Sequence, residues 1–356
     1  MLVRYRFTIV RPLLCLGLST LSLAPCAVQG QFLFDATKAE MAGNADWVID
    51  ANTRNIEVNS ASDGSGRTGT GGNESNPQRL PSPAASGITA GTAETYWDGA
   101  LSAWAVALVQ RGHTVESLPY NGAITFGNAG NAQDLSRYKV FVLAEPNILF
   151  TAAEKTAILN FVSAGGGLFL IGDHGAADRN NDGSDAVEVW NDLMTNNSVK
   201  ANPFGISFNG DTVTPNAVVA TSSTDPITHG SIGIVTDYAY ADGSTMTINT
   251  TQNSTVKAAV WSSTLGSTRG VMVAYGNFGA GRFVAVGDSS PFDDGTGDPK
   301  DMLFAGWTDG GNFTAGFAND GRLAMNASVW LAVPEPTIVT LLACGALTCL
   351  SRRRCR

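Results

Sequence analysis

The segment at residues 165–183 constrains the fold of this chain most, because it joins an apolar strand to a polar loop. Residues 168–171 form a short apolar run after three glycines, which is typical of a strand buried in a sheet. The loop that follows contains Asp173 and His174. In an open α/β sheet, ligands bind beyond the carboxyl ends of the strands. The segment therefore predicts a central strand and, directly after it, a candidate site.

Strand and helix patterns alternate along most of the chain. Apolar runs predict inner strands at residues 32–35, 140–143, 168–171 and 284–286. Apolar spacing and end signals predict helices at residues 45–50, 93–111, 151–162, 188–195 and 323–331. This alternation is typical of an α/β fold with a doubly wound, mostly parallel sheet, whose inner strands are apolar because both faces are buried.

The two ends of the chain have the features of targeting segments. Residues 1–30 combine three early arginines with an apolar run, which predicts a secretory signal peptide and a mature protein that begins near Gln31. Residues 334–356 contain a Pro-Glu-Pro motif, an apolar run and four terminal arginines. This order resembles the PEP-CTERM sorting signal. A buried terminal helix is the alternative, and the arginines disfavour it.

The PEP-CTERM resemblance implies export and transient anchoring through a C-terminal membrane helix. It also implies processing by an exosortase, which would leave the protein at the cell surface or in the extracellular matrix. Residues 31–333 would then form the exported domain, with a long loop at residues 59–92 that is rich in Gly, Ser, Thr, Asn and Pro.

Cysteine usage and charge narrow the classes of function. All five cysteines lie in the two end segments, so the exported domain has no disulfide framework, thiolate metal site or cysteine nucleophile. The formal net charge is −9, although both ends are basic. An acidic surface repels phosphate backbones, so we expect no nucleic-acid partner. We also expect no nucleotide cofactor, because the chain has neither a P-loop nor a G-x-G-x-x-G turn after a strand.

Three stretches of the middle of the chain resemble the class I glutamine amidotransferase-like superfamily, in its non-amidotransferase branches such as the trehalose-utilisation type. They are residues 138–170, the Asp-Pro-Ile-Thr-His-Gly segment at 225–230, and the late strand at 279–288. The resemblance implies a sheet of flavodoxin or glutamine amidotransferase-like type. In amidotransferases the cysteine nucleophile would follow the strand that ends at Ile171. This chain has Gly172, Asp173 and His174 there, so glutamine hydrolysis does not carry over.

The loop after the organising strand matches the first half of a calcium-binding loop. Oxygen-bearing side chains at Asp178, Asn180 and Asp182 occupy positions 1, 3 and 5, with Gly183 at position 6 and Asp185 nearby. The acid required at position 12 is missing. The loop is therefore either a site for Ca²⁺ or another divalent metal, or an Asx-rich turn that needs no ion.

A second acidic group follows the strand at residues 284–286. Asp288 comes directly after it, and Asp293 and Asp294 lie a few residues further on. If both strands are central and parallel, Asp173, His174 and Asp288 share one edge, where carboxylates and an imidazole could hold a metal and activate water. The alternative is that these acids cap helices or bind loop amides. Asp173 and His174 would face one ligand only if the strand has already ended.

Two functions remain open from the sequence. The first is a metal-assisted hydrolase on an extracellular carbohydrate or ester, with Asp173, His174 and Asp288 as catalytic residues. The second is a non-catalytic surface or matrix protein that binds calcium or another ligand, with an extracellular polysaccharide as one partner. Of the other two histidines, His113 is expected at the surface or in the C-cap of the preceding helix, and His229 is expected to be structural in a turn.

Overall fold

The computed structural model describes residues 31–41, 47–49, 87–93, 96–97, 99–119, 121–294, 303–304 and 319–333. The first strands are β1 (Gln31–Asp35), β2 (Thr114–Leu118), β3 (Val140–Ala144), β4 (Gly167–Ile171), β5 (Ile206–Phe208) and β6 (Ala217–Val219). The later strands are β7 (His229–Gly230), β8 (Gly233–Ile234), β9 (Met246–Ile248), β10 (Lys257–Ser262), β11 (Val271–Phe278) and β12 (Gly281–Val286). The α-helices are α1 (Ser102–Gln110), α2 (Ala152–Ser163), α3 (Ala186–Thr195), α4 (Gly266–Arg269) and α5 (Asp320–Ala332).

The central sheet has the strand order β2-β1-β3-β4-β12-β11-β10-β6. Its first five strands are parallel, and β11, β10 and β6 extend it antiparallel. The four predicted inner strands are confirmed, since β1, β3, β4 and β12 all lie inside the parallel part and are almost fully buried. Their apolar runs suit this position, because a parallel strand is covered on both faces.

Helices cover both faces of the sheet, as the doubly wound prediction requires. Helices α1 and α5 pack in one hydrophobic cluster and α2 and α3 in the other. Alternate residues of β4 supply the two clusters: Phe169 and Ile171 belong to the first, and Leu168 and Leu170 to the second. The side-chain period of two in a strand explains this division.

Helix α1 is shorter than predicted. It begins at Ser102, whereas the apolar spacing predicts a start near residue 93. Gly99 has a φ of +86° and lies so close to the Val48 carbonyl that a Cβ atom there would overlap it. This left-handed residue ends any helix from upstream. The helix predicted at residues 45–50 lies partly outside the described residues, and residues 47–49 are not helical.

Helix α1 ends as predicted at Gly112, which has a φ of +86°. The next residue, His113, is buried, and its ring packs edge-on against Phe32 at 5.3 Å between ring centroids. A surface position for His113 is therefore wrong, because the turn after α1 directs the side chain under β1. Its place in the cap of α1 is confirmed, since His113 N donates to Leu108 O at 3.1 Å.

Several predictions lie outside the described residues. They are the signal peptide at residues 1–30, the loop at residues 59–86 and the sorting segment at residues 334–356. Within the described part of the chain, no helix is both long enough and apolar enough to span a membrane.

Thr151→Ala should lower the stability of the protein by about 1 kcal/mol, because Thr151 caps α2. The predicted capping box is present: Thr151 Oγ1 accepts from Glu154 N at 3.3 Å, and Glu154 Oε2 accepts from Thr151 N at 2.8 Å. Denaturant unfolding measures the loss. Thr156→Ala is the matched control, since that half-buried threonine lies inside the same helix and bonds to Ala152 O and Ser198 Oγ instead of to the first-turn amides. Equal losses in the two variants would contradict the capping role.

Candidate active site at the carboxyl edge

Three neighbouring parallel strands each end close to an acidic residue. Ala144 of β3 and Val286 of β12 both pair with Ile171 of β4, so the three strands stop at the same level. Glu145, Asp173 and Asp288 follow them directly or within two residues, and all three are at least 96% buried. We call this part of the sheet edge the carboxyl rim. The predicted placement of Asp173 and Asp288 at one edge is confirmed.

Glu145 is the most constrained residue of the carboxyl rim. It has no solvent exposure and a φ of +45°, an unusual backbone conformation for a residue with a side chain. Its Oε2 accepts hydrogen bonds from Trp47 Nε1 at 2.5 Å and Ser289 Oγ at 2.8 Å. Burial raises the pKa of Glu145 well above its ordinary value, and the neighbouring Asp173 carboxylate adds to the rise. The charge of Arg179 and the hydrogen bond from Ser289 oppose part of this rise.

Arg179 joins two of the acids. Its Nε donates to Glu145 Oε1 at 3.1 Å, and its Nη2 donates to Asp173 Oδ2 at 2.8 Å. The guanidinium side chain is 23% exposed, so one side of it reaches solvent. Neither of these two bonds uses Nη1, which leaves donor capacity on the guanidinium for another group.

His174 lies next to this pair. Its Nε2 is 3.9 Å from Asp173 Oδ2 and 3.5 Å from Arg179 Nη2. Strand β4 has ended at Ile171, so strand alternation no longer separates Asp173 from His174. The other ring nitrogen, Nδ1, is 2.8 Å from the Gly175 carbonyl, an acceptor that requires Nδ1 to carry the proton. In the neutral ring, Nε2 is then a proton acceptor beside Asp173 and Arg179.

Asp288 lies at the carboxyl rim, but its oxygens bind backbone amides. They accept from Ala241 N at 2.6 Å and Ser290 N at 3.0 Å. Gly287 permits this close approach, because a Cβ atom at residue 287 would overlap the carbonyl oxygen of Ser244, which lies in the same loop as Ala241. Burial raises the pKa of Asp288, and the charge of Asp173 raises it further. The structure therefore brings Asp173 and His174 together, whereas the Asp288 side chain is occupied by the backbone amides of two loops.

The residues of the predicted calcium loop form an Asx turn. Asp178 accepts from the backbone N–H groups of Asp182 and Gly183, and Asn180 Nδ2 donates to Asp182 Oδ2 at 3.1 Å. Asp185 caps α3 by accepting from Glu188 N at 2.8 Å. Asp178, Asn180 and Asp182 thus converge on one turn, whereas Asp185 caps helix α3.

The remaining two candidate ligands lie elsewhere. Asp294 Oδ2 accepts from Ala103 N in the first turn of α1 at 2.9 Å. Asp293 is fully buried and bonds through its backbone carbonyl to Phe304 N. Within the described ranges, no group of three or more His, Cys, Asp or Glu side chains has the arrangement of a metal site.

Sequence reasoning did not assign a site role to Trp47, Glu145, Arg179 or Ser289. Two signals were available: Glu145 directly follows a predicted central strand, and Arg179 is the one cation in the acidic loop. Trp47 and Ser289 carry no such signal, because their contacts with Glu145 span 98 and 144 residues of sequence.

The chain matches one protein family by sequence. Residues 92–301, more than half of the chain, match the family described as a domain of unknown function, DUF4350. The chain belongs to this family. The matched region of DUF4350 includes the carboxyl-rim residues Glu145, Asp173, His174, Arg179 and Asp288. A search of curated proteins finds no match.

Solved structures similar to this DUF4350 protein are distant. A cytoplasmic protein from Salmonella typhimurium is 11% identical with a TM-score of 0.43, covering 86% of this chain and 100% of its own. The mmIFT52 N-terminal domain is 17% identical with a TM-score of 0.39, covering 62% of this chain and 85% of its own. A β-galactosidase from Bacillus circulans sp. alkalophilus is 13% identical with a TM-score of 0.29, covering 50% of this chain and 22% of its own.

A second pair of buried carboxyl groups lies where β1 ends. Asp35 and Glu40 are 2% and 3% exposed. Burial raises the pKa of Asp35 from 3.8 to about 6, although a hydrogen bond with Glu40 opposes the rise. Burial and the charge of Asp35 raise the pKa of Glu40 well above its ordinary value. Both carboxyl groups therefore bind a proton more tightly in the folded protein than in water.

Asp35→Asn should raise the free energy of unfolding above that of wild type by more at pH 7.5 than at pH 4.5. A carboxyl group whose pKa is raised on folding stabilises the folded state below its unfolded pKa, near 3.8, and loses this contribution as pH rises through about 6. The amide does not ionise, so the gap between variant and wild type should grow by about 1–3 kcal/mol over this interval. Denaturant unfolding of both proteins at the two pH values measures it. Parallel pH profiles would contradict the raised pKa of Asp35.

Proposed function

We propose that this protein is an exported hydrolase that acts at the carboxyl rim on an extracellular substrate. An ester is the preferred substrate class, and a glycoside is the alternative. The observation that carries the proposal is the position of His174 Nε2, a proton acceptor on a partly exposed ring beside Asp173 and Arg179. An imidazole held in one tautomer next to a carboxylate and a guanidinium is suited to take a proton from water.

Each group of the carboxyl rim has a distinct role in this proposal. His174 Nε2 accepts the proton of an attacking water, and the unused Nη1 of Arg179 stabilises the oxyanion that forms on the ester carbonyl. The imidazolium then gives this proton to the departing alkoxide as the acyl carbon–oxygen bond breaks. Asp173 pairs with Arg179 and stabilises the protonated imidazole. Glu145, Trp47 and Ser289 position the guanidinium and do not touch substrate.

The carboxyl rim supports ester hydrolysis better than glycoside hydrolysis. A glycosidase places two carboxyl groups about 5 Å or more apart on opposite sides of the scissile bond. Glu145 is fully buried and shares Arg179 with Asp173, so the two acids do not flank an open position. The positive charge of Arg179 also lies between these two acids, where a metal-assisted reaction would place its ion.

Export is part of the proposal and rests on the two end segments. The signal peptide would direct secretion, and the PEP-CTERM segment would hold the protein in the membrane until an exosortase processes it. The glutamine amidotransferase-like ancestry belongs to the same proposal. It is supported by the order β2-β1-β3-β4-β12, because doubly wound sheets of flavodoxin type have the order 2-1-3-4-5.

His174→Ala should lower hydrolysis of chromogenic acyl esters by about 10²–10⁴-fold, the usual contribution of a general base, with little change in melting temperature. The measurement is the initial rate of the purified protein on a panel of nitrophenyl esters and nitrophenyl glycosides. His229→Ala is the matched control, since His229 is also half-buried and its ring bonds to Thr228 and not to a carboxyl-rim residue. Unchanged ester hydrolysis in the His174 variant, or a wild type inactive on the whole panel, would refute the proposal.

A calcium-binding, non-catalytic protein is the second candidate, favoured by the convergence of Asp178, Asn180 and Asp182 on one turn. A calcium ion would have to displace the backbone N–H groups from which these oxygens accept hydrogen bonds. It would also reduce the repulsion between neighbouring carboxylates.

For this candidate, wild type should melt several degrees higher in millimolar calcium than in chelator. Binding at a hundredfold excess over Kd stabilises by about 2.7 kcal/mol. Asp182→Ala should abolish the difference, and Asp237→Ala, an exposed aspartate outside the loop, should retain it. Equal melting temperatures of wild type in calcium and chelator would show that the loop is a plain Asx turn.

A further inference from the structure

Three adjoining depressions lie beside the antiparallel part of the sheet. Residues of β10 and β11 line the first two, and residues of β7 and α5, with Arg282 of β12, line the third. Their volumes are about 440, 350 and 390 Å³. The first and second share Lys257 and Tyr275, and the second and third share Pro226 and Trp330. None of the carboxyl-rim acids lines them. We call the three together the β10–β11 groove. Its extended form suits a chain-like ligand better than a single small molecule.

The β10–β11 groove has an exposed cation in an otherwise acidic protein. The whole chain has a net charge of −9, but the exposed Lys257 lines the first two depressions. Among the described lining residues, the one acid is Asp225, which is 6% exposed and already accepts from Tyr275 Oη at 2.7 Å and from two backbone amides. The cation of the groove is therefore more accessible to a ligand than its acid.

Lys257 is the cation best placed to meet a ligand. It is exposed and lines both the first and second depressions. Its Nζ lies 6.0 Å from the centroid of the Tyr275 ring, a contact that orients the ammonium group without neutralising it. Arg282, by contrast, donates to Trp330 O and Val333 O at the end of α5 and so serves mainly to hold that helix.

The remaining lining of the groove suits a ligand rich in hydroxyl groups. The first depression combines the half-buried ring of Trp261 with the side chains of Ser222, Thr224, Ser267 and Thr268. Hydroxyl side chains both donate and accept hydrogen bonds, and an aromatic ring offers an apolar surface beside them. Such a lining matches the alternating polar and apolar faces of a sugar ring.

A peptide strand fits the groove less well. Strand β11 is paired on both sides, by β10 and β12. Strand β10 pairs with β6 from Val260 onward, and Ala220 N donates to Ala259 O. Among the residues that the structure describes, the outer edge of β10 is thus open only at Lys257 and Ala258, which is too short for the addition of a strand.

We propose that the β10–β11 groove binds an acidic polysaccharide, with Lys257 contacting its carboxylate groups. The negative charge of the rest of the protein does not prevent this contact, since it is screened beyond about 8 Å at physiological ionic strength. The same screening makes binding weaker as salt rises. The groove acts separately from the carboxyl rim, so this binding does not depend on the proposed hydrolysis.

Affinity electrophoresis of the full-length protein tests the proposal, with polygalacturonate as the acidic polymer and dextran as the neutral one. Polygalacturonate should retard wild type, increasingly so at low salt, and dextran should not. Lys257→Glu should bind polygalacturonate about tenfold more weakly or not at all. Lys200→Glu is the matched control, because Lys200 is also an exposed lysine above an aromatic ring, with Nζ 5.8 Å from the Phe278 centroid, and lines none of the three depressions.

Three results would overturn the proposal: no retardation of wild type by polygalacturonate, equal retardation by dextran, or an equal loss in both lysine variants. His174→Ala provides the separation from the carboxyl rim. It should bind polygalacturonate like wild type whether or not ester hydrolysis is found. Loss of binding in that variant would place the polymer at the rim and refute a separate groove.

Discussion

The Arg179 guanidinium supplies the positive charge on which the buried acids of the carboxyl rim depend. An ionised carboxylate is costly to bury unless an opposite charge and hydrogen bonds accompany it. Arg179 supplies both to Asp173, and its Nε donates to Glu145 next to it. Without this one side chain, β3 and β4 would end in two neighbouring buried acids with no cation between them. The loop after β4 therefore provides the counter-charge that lets two adjacent strands carry acids at the same level.

Glu145 shows that the rim is held by contacts from several parts of the chain. Its left-handed backbone costs on the order of 1–3 kcal/mol, so the surrounding structure must compensate. Trp47, Ser289 and Arg179 hold its carboxyl group from three separate segments. Strain maintained at a strand end beside a partly exposed histidine is the arrangement expected of a site rather than of a simple helix cap.

The parts of the fold that could be predicted are those that depend on local pattern. The inner strands follow from apolar runs, and the cap of α2 follows from Thr151 and Glu154. The start of α1 could not be predicted from local pattern, because the conformation of Gly99 depends on its close contact with Val48, about fifty residues earlier. At the rim, Asp173 and His174 could be placed after β4. Their partner Arg179 could not, because no periodicity determines where a side chain points once a strand has ended.

The position of β1 has a consequence for how this family is delimited. The matched family segment begins at residue 92, yet β1 is formed by Gln31–Asp35 and lies between β2 and β3. In the sheet, β2 pairs with β1, and Phe32 and Phe34 fill one of the two cores. A fragment cut at the family boundaries would expose the edge of β3 and leave β2 without its neighbour. The segment recognised by sequence is thus smaller than the segment that can fold, and truncations should be chosen from the sheet order.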